Sequence, residues 1–205
     1  MRTLLHKEER KGQLVDAAIK VFAAKGYRSA SIADIIDAAG VARGTFYLYF
    51  SSKLDVFHAV MDRYAALFEA RVRTEVNRSY SNPLSVRSAM RSALLDWMKF
   101  FTENKDLAKV VLREANAIDP DYEERCYKML ESCFIHWREA VERLQKIGFV
   151  RRDLDPEFLN MGFSGLLTHI VLRRIIPGPP PDLERIVDQW IEFVESGIKA
   201  KGWLV

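Results

Sequence analysis

Residues 31–53 of the chain read SIADIIDAAGVARGTFYLYFSSK. The groups in this stretch that can act on another molecule are Ser31, Arg43, Gly44, Thr45, Tyr47, Leu48, Tyr49 and Lys53. At helical spacing, about 100° per residue, Phe46 and Phe50 share one face while Gly44, Tyr47 and Leu48 lie on the other. An outward tyrosine and leucine do nothing for a small core. Next to an arginine in the first turn and a glycine that clears the surface, they suit a helix entering a major groove, where a leucine can meet a thymine methyl. Lys53 follows the cap residues Ser51 and Ser52 and sits in a first helical turn, beside backbone N–H groups that lack intrahelical partners. That combination suits a phosphate. The chemistry expected is recognition of duplex DNA.

Such a face needs elements to hold it. Ser31 is placed to cap a helix, with Asp34 three residues on, and Ile32, Ile35 and Ile36 then fall on one side. Gly40 can take positive φ and reverse the chain, Val41 fills the corner, and a second short helix runs from about residue 42 to 49. A preceding helix over residues 7–25 sets Leu14, Ala18, Val21 and Phe22 on one stripe and stops at Gly26. A long helix over residues 52–77, with Phe57, Val60, Met61, Tyr64 and Phe68 along one side, leads out of this head.

The run Gly40-Val41-Ala42-Arg43-Gly44-Thr45-Phe46-Tyr47-Leu48-Tyr49-Phe50-Ser51-Ser52-Lys53, preceded by Ala18, Phe22, Gly26, Tyr27 and Ser31, resembles the tetracycline-repressor (TetR) family. The resemblance implies an all-α, dimeric repressor that binds a palindromic operator: a three-helix DNA-binding head over residues 1–51 and a helical ligand-binding and dimerisation body over residues 52–205. It assigns Arg43, Gly44 and Tyr47 to bases or their neighbourhood, and Thr45, Leu48, Tyr49 and Lys53 mainly to the DNA backbone. Three positions depart from the family pattern. Ala42 stands where a serine cap is usual, Ala33 where a polar side chain is common, and Leu54 where a glutamate often follows the lysine.

Charge points the same way independently. Residues 1–55 hold nine Lys and Arg against six Asp and Glu, and residues 56–205 hold twenty-two of each, so the net +3 of the chain resides in the head. A surface for phosphates needs such an excess. The most apolar later stretch, residues 161–172, is too short to span a bilayer, and the opening MRTLLHKEERK lacks the apolar core of a signal peptide. A cytoplasmic protein without a membrane partner is the expectation. Cys126 and Cys133 are seven residues apart on one expected helix, about 10 Å by helical rise, too far for a disulfide between them.

The rest of the chain reads as helices separated by short breaks. Asp119–Pro120 and Asp155–Pro156 each pair a capping aspartate with proline at the first helical position, and the proline-rich run at 177–181 separates two last helices over residues 156–176 and 181–200. Phe163, Leu166, Leu167, Ile170, Trp190, Phe193 and Val194 on that pair supply apolar surface for a homodimer, with Gly162 and Gly165 permitting close approach; completing the monomer core is the alternative use. In the family the body helices enclose an inducer cavity, and the residues assigned to it here are Trp97, Met98, Phe101, Met129, Phe134, Trp137 and His169. Arg113 and Asn116 either anchor a polar end of that inducer or form a solvated face. The inducer expected is a small apolar or amphipathic molecule. No nucleotide, phosphate-loop, metalloprotease or nucleophile-elbow motif is present, and neither His136 nor His169 has a partner at metal spacing, so no enzyme activity, cofactor or metal is expected. The rival reading is the same fold with a body that binds a protein partner, DNA serving as co-effector.

Overall fold

Helix-forming periodicity and well-placed stop signals dictate an architecture built from helices. A computed structural model of the chain describes residues 2–76, 83–114, 118, 122–179 and 181–198. Among the described residues it contains α1 (Arg2–Lys25), α2 (Ile32–Ala39), α3 (Arg43–Tyr47), α4 (Lys53–Val76), α5 (Pro83–Glu103), α6 (Lys105–Glu114), α7 (Tyr122–Lys146), α8 (Pro156–Ile170) and α9 (Leu183–Ile198). The fold is all-α, and no described helix is long and apolar enough to cross a membrane. The helix start expected at Asp119–Pro120 lies outside the described residues.

Two compact units emerge, one formed by Met1–Leu67 with Lys105–Glu123 and the other by Phe68–Asn104 with Glu124–Val205. This grouping differs from a division at residue 51, because α6 packs against α1 and the first part of α4 shares the core of the head.

The first unit has an aromatic and aliphatic centre. Leu14, Ala18 and Phe22 of α1, Ile35 of α2, Phe46 of α3, and Val56, Phe57 and Val60 of α4 are fully buried. Phe22, Tyr27 and Phe57 form a cluster with ring centroids 5.2–6.1 Å apart, in tilted and edge-on arrangements favoured by the ring quadrupole. The turns follow from glycine: Gly26 and Gly40 have φ of 76° and 64°, the left-handed region where a side chain costs energy. Gly40 caps α2, its N–H donating to the carbonyls of Ile36 and Asp37. At the other end of α2, the Ser31 hydroxyl accepts the Asp34 N–H (3.1 Å) while the Asp34 carboxylate accepts the Ser31 N–H (2.9 Å), a reciprocal capping box.

In the second unit Val86, Val141, Leu144, Phe149, Val150 and Leu159 form a core, with Met90, Trp137, Leu154 and Ile198 packed against it. Ion pairs stitch α5 to α9: Arg87 to Glu195 (2.6 Å), and Arg91 to Asp188 (2.8 Å) and Glu184. Asp155 caps α8 with Pro156 at the first position, as expected. The helix then departs from the single span over residues 156–176: Val171–Ile175 is a π-helical turn, closed by the Ile176 N–H donating to the Val171 carbonyl (2.9 Å). That wider turn lets Val171, Ile175 and Ile176 all be buried just before Pro177, which cannot continue the ladder.

Asp34 also pairs with Lys25 at 2.6 Å. The Lys25 ammonium first, then the Ser31 N–H and hydroxyl, lower its carboxyl to about 2. A lowered carboxyl stabilises the fold fully above the unfolded value, near 4, and loses that contribution as the pH falls through the folded value. The stability difference between the natural chain and Asp34→Asn is therefore expected to be constant at neutral pH and to shrink between about pH 4 and 2. Denaturant titrations across this range check it; a pH-independent difference would contradict the pairing.

Candidate nucleic-acid interface and ligand cavity

α3 is short, and one buried side chain orients it. Phe46 is fully buried and meets Phe50 at 5.8 Å between ring centroids, which turns the opposite side of the helix to solvent. There Tyr47 is 48% and Leu48 77% exposed, with Arg43 and Gly44 also exposed. The Arg43 guanidinium lies over the Tyr47 ring at 5.9 Å, so charge and aromatic face form one patch. Thr45 and Tyr49 are half-buried at its flanks. At the α3 N-terminus Ala42 offers no side-chain cap. The helix is held instead by the Phe46 anchor and by Leu48, Tyr49 and Phe50 N–H groups donating back to residues 44–46. An exposed patch of this kind, with donors, an aromatic edge and an aliphatic tip, can contact base edges and phosphates.

Lys53, expected at a phosphate, is engaged within the free chain. Its ammonium turns into the protein, donating to the carbonyls of Tyr27 and Ala30 at 2.7 Å each, lying 3.4 Å from that of Arg28 and 4.4 Å from the centre of the Tyr27 ring. Ser31 is exposed, but its hydroxyl serves as the α2 cap. At the α4 N-terminus, Ser52 accepts the Asp55 N–H and Asp55 accepts the Ser51 N–H. The signal missed in the sequence was the bend at Gly26, which brings three carbonyls within reach of a side chain 23–26 residues away.

The second unit holds a cavity of about 710 Å³. Phe68 and Val72 of α4, Met90, Leu94 and Trp97 of α5, Trp137, Val141 and Leu144 of α7, Leu159, Phe163 and Leu167 of α8, and Trp190 of α9 supply an apolar wall. Asn160, Ser164, Thr168, His169 and His136 supply its polar part. Trp97 is fixed by Phe68 at 5.0 Å and by Arg71, whose guanidinium stacks over the indole at 5.7 Å and pairs with Asp96 at 3.3 Å. Such a space suits a mainly apolar ligand with a few hydrogen-bonding groups.

Of the residues assigned to an inducer, Trp97, Trp137 and His169 line this cavity. Met98 and Phe101 do not: both are buried in the packing, 0% and 3% exposed. Arg113 is exposed on α6 and belongs to the first unit. Asn116 and the side chains of Met129 and Phe134 lie outside the described residues. The interface assignment divides as well. Phe193 is 72% exposed, whereas Trp190 and Val194 are buried within the chain, and Trp190, Phe163 and Leu167 face the cavity. Leu166 and Ile170 are half-buried. The outward apolar groups of α8 are Phe158 and Met161, which share a face with Gly162 and Gly165, where an added Cβ would meet open space. Apolar spacing marked these helices but not which residue faced core, cavity or solvent.

Residues 14–60 match the model of bacterial regulatory proteins of the tetR family, and this match includes α2, α3 and the first turns of α4. The match places a DNA-binding segment of tetR type in the head of this chain. It is 25% identical over 202 residues to the HTH-type transcriptional repressor KstR2 of Mycobacterium tuberculosis, covering 94% of both chains. It is 29% identical over 129 residues to the HTH-type transcriptional activator FasR of Mycolicibacterium smegmatis, covering 63% of this chain and 57% of that protein. The fold is shared with the transcriptional regulator FadR from Bacillus subtilis, solved in complex with stearoyl-CoA: TM-score 0.75 at 21% identity, covering 91% of this chain and 98% of the other. The head thus resembles that of bacterial tetR-type regulators, and the helical fold is that of FadR.

Proposed function

We propose that this regulator is a homodimeric repressor that binds a palindromic operator through α3 and is released by an apolar or amphipathic ligand held in the cavity of its second unit. The observation that carries the DNA contact is the outward patch of Arg43, Gly44, Tyr47 and Leu48, which leaves an aromatic and an aliphatic side chain exposed to water beside a cation. Arg43 and Tyr47 read bases, Leu48 takes a thymine methyl, and Thr45 and Tyr49 meet the backbone.

The sensing part of the reading is supported by the cavity, since a filled core would favour the protein-partner alternative. A relative of the same fold holds stearoyl-CoA, and another is named a ketosteroid regulator. A long acyl or fused-ring ligand is thus the class to test first. Phe68 and Val72 line the cavity on α4, the same helix whose first turns bury Val56, Phe57 and Val60 in the head. A ligand that favours one position of α4 shifts the population of heads held at operator spacing. The second copy covers Phe158, Met161 and Phe193, large apolar groups that a monomer leaves in water.

Two substitutions test this. An added Cβ at Gly44 meets nothing within 4 Å, and alanine is the better helix former by about 1 kcal/mol. Gly44→Ala is expected to match or exceed the natural chain in thermal stability while binding operator at least about tenfold more weakly, because the methyl fills the approach to the groove. Unchanged operator affinity would remove Gly44 from the interface. Phe193→Glu is expected to keep the helical fold and yield monomers in sedimentation; a stable dimer would place the interface elsewhere.

A further inference from the structure

The bend between α1 and α2 is held by two lysines that come from distant parts of the chain. The last carbonyls of a helix have no partner within it, and the negative end of the helix dipole gathers there. At the end of α1 the Phe22 carbonyl is taken by the Gly26 N–H at 2.9 Å, and the Gly26 carbonyl by the Ala30 N–H at 3.1 Å. The carbonyls of Ala23, Tyr27 and Ala30 receive ammonium groups instead: Lys109 of α6 donates to Ala23, and Lys53 of α4 donates to Tyr27 and Ala30. All three contacts are partly buried, and Lys53 also rests on the Tyr27 ring. Ala30 directly precedes Ser31, the cap that starts α2, and α2 leads through Gly40 to α3.

α4 and α6 are also helices of the first unit that connect along the chain to the second. Leu67 passes to Phe68 within α4, and Asn104 to Lys105 at the start of α6. We infer that Lys53 and Lys109 are positioning residues: a two-cation clamp that fixes the α1–α2 corner to α4 and α6, and so sets how α2 and α3 are presented to DNA. This rests on α3 being the reading helix. In the free chain the Lys53 ammonium is 2.7 Å from the Tyr27 and Ala30 carbonyls and 3.4 Å from that of Arg28, so its donors are engaged by the corner.

Lys53→Met and Lys109→Met keep most of each stem and remove the charge and the donors. In the free protein, the amides of Gly26 and Ala30 are expected to exchange with solvent at least about tenfold faster in both variants, because charge-assisted hydrogen bonds to their turn are lost. Against an operator recovered by selection, both variants are expected to bind roughly tenfold more weakly, with unchanged affinity for an unrelated duplex and an unchanged slope of log affinity against log salt. Lys109→Met removes a single contact and serves as the second variant should Lys53→Met fail to fold. Unaltered amide exchange in both variants would overturn the clamp. So would a Lys53→Met protein that loses affinity equally for every duplex and whose salt slope drops by about one, the mark of a lost phosphate contact. If the natural chain shows no sequence preference, the reading of α3 fails, and the exchange measurement on free protein still decides the clamp.

Discussion

The carbonyls left open at the end of α1 are the constraint on which the head depends. A helix that ends at Lys25 leaves its last carbonyls unpaired by its own ladder, in a corner already crowded by Phe22, Tyr27 and Phe57. Lys109 of α6 donates to the last turn of α1 and Lys53 of α4 to the Tyr27 and Ala30 carbonyls beyond it, the turn at Gly26 supplies the geometry, and α2 begins where these contacts end. From that start, the capping box sets the axis of α2, Gly40 reverses the chain, and Phe46 fixes the rotation of α3. The outward direction of Tyr47 and Leu48 is the last consequence of that series.

The second unit is shaped by a different balance. Its core of Val86, Val141, Leu144, Phe149, Val150 and Leu159 is close-packed, but the neighbouring space between α4, α5, α7, α8 and α9 is left open. Polar groups on α8, Asn160, Ser164 and Thr168, face the same volume, which suits a ligand with both an apolar body and hydrogen-bonding atoms.

Much of the head was legible in the sequence because its signals are local. Ser31 with Asp34, Gly40 at positive φ, and the Phe46–Phe50 pair each act over three or four residues, and each does in the structure what its spacing implies. The internal partners of Lys53 were not legible for the opposite reason: they lie 23–26 residues earlier, and only the fold brings them together. The body shows the same limit. Apolar periodicity marked α8 and α9, yet Trp190 faces inward while Phe193, three residues later, faces water, a difference set by packing rather than composition. The helix expected over residues 156–176 contains a π turn at Val171–Ile175, and nothing in that apolar run distinguishes an α from a π ladder.

The central claim is that the α3 patch reads DNA sequence within a two-fold assembly. Selection from a random duplex library by the purified full chain, with affinities of the winning sequences then measured at several salt concentrations, tests it most directly. The account predicts a palindromic winner bound far more tightly than unrelated duplex, with affinity falling as salt rises. A selected pool without sequence preference, from protein free of bound ligand, would contradict it.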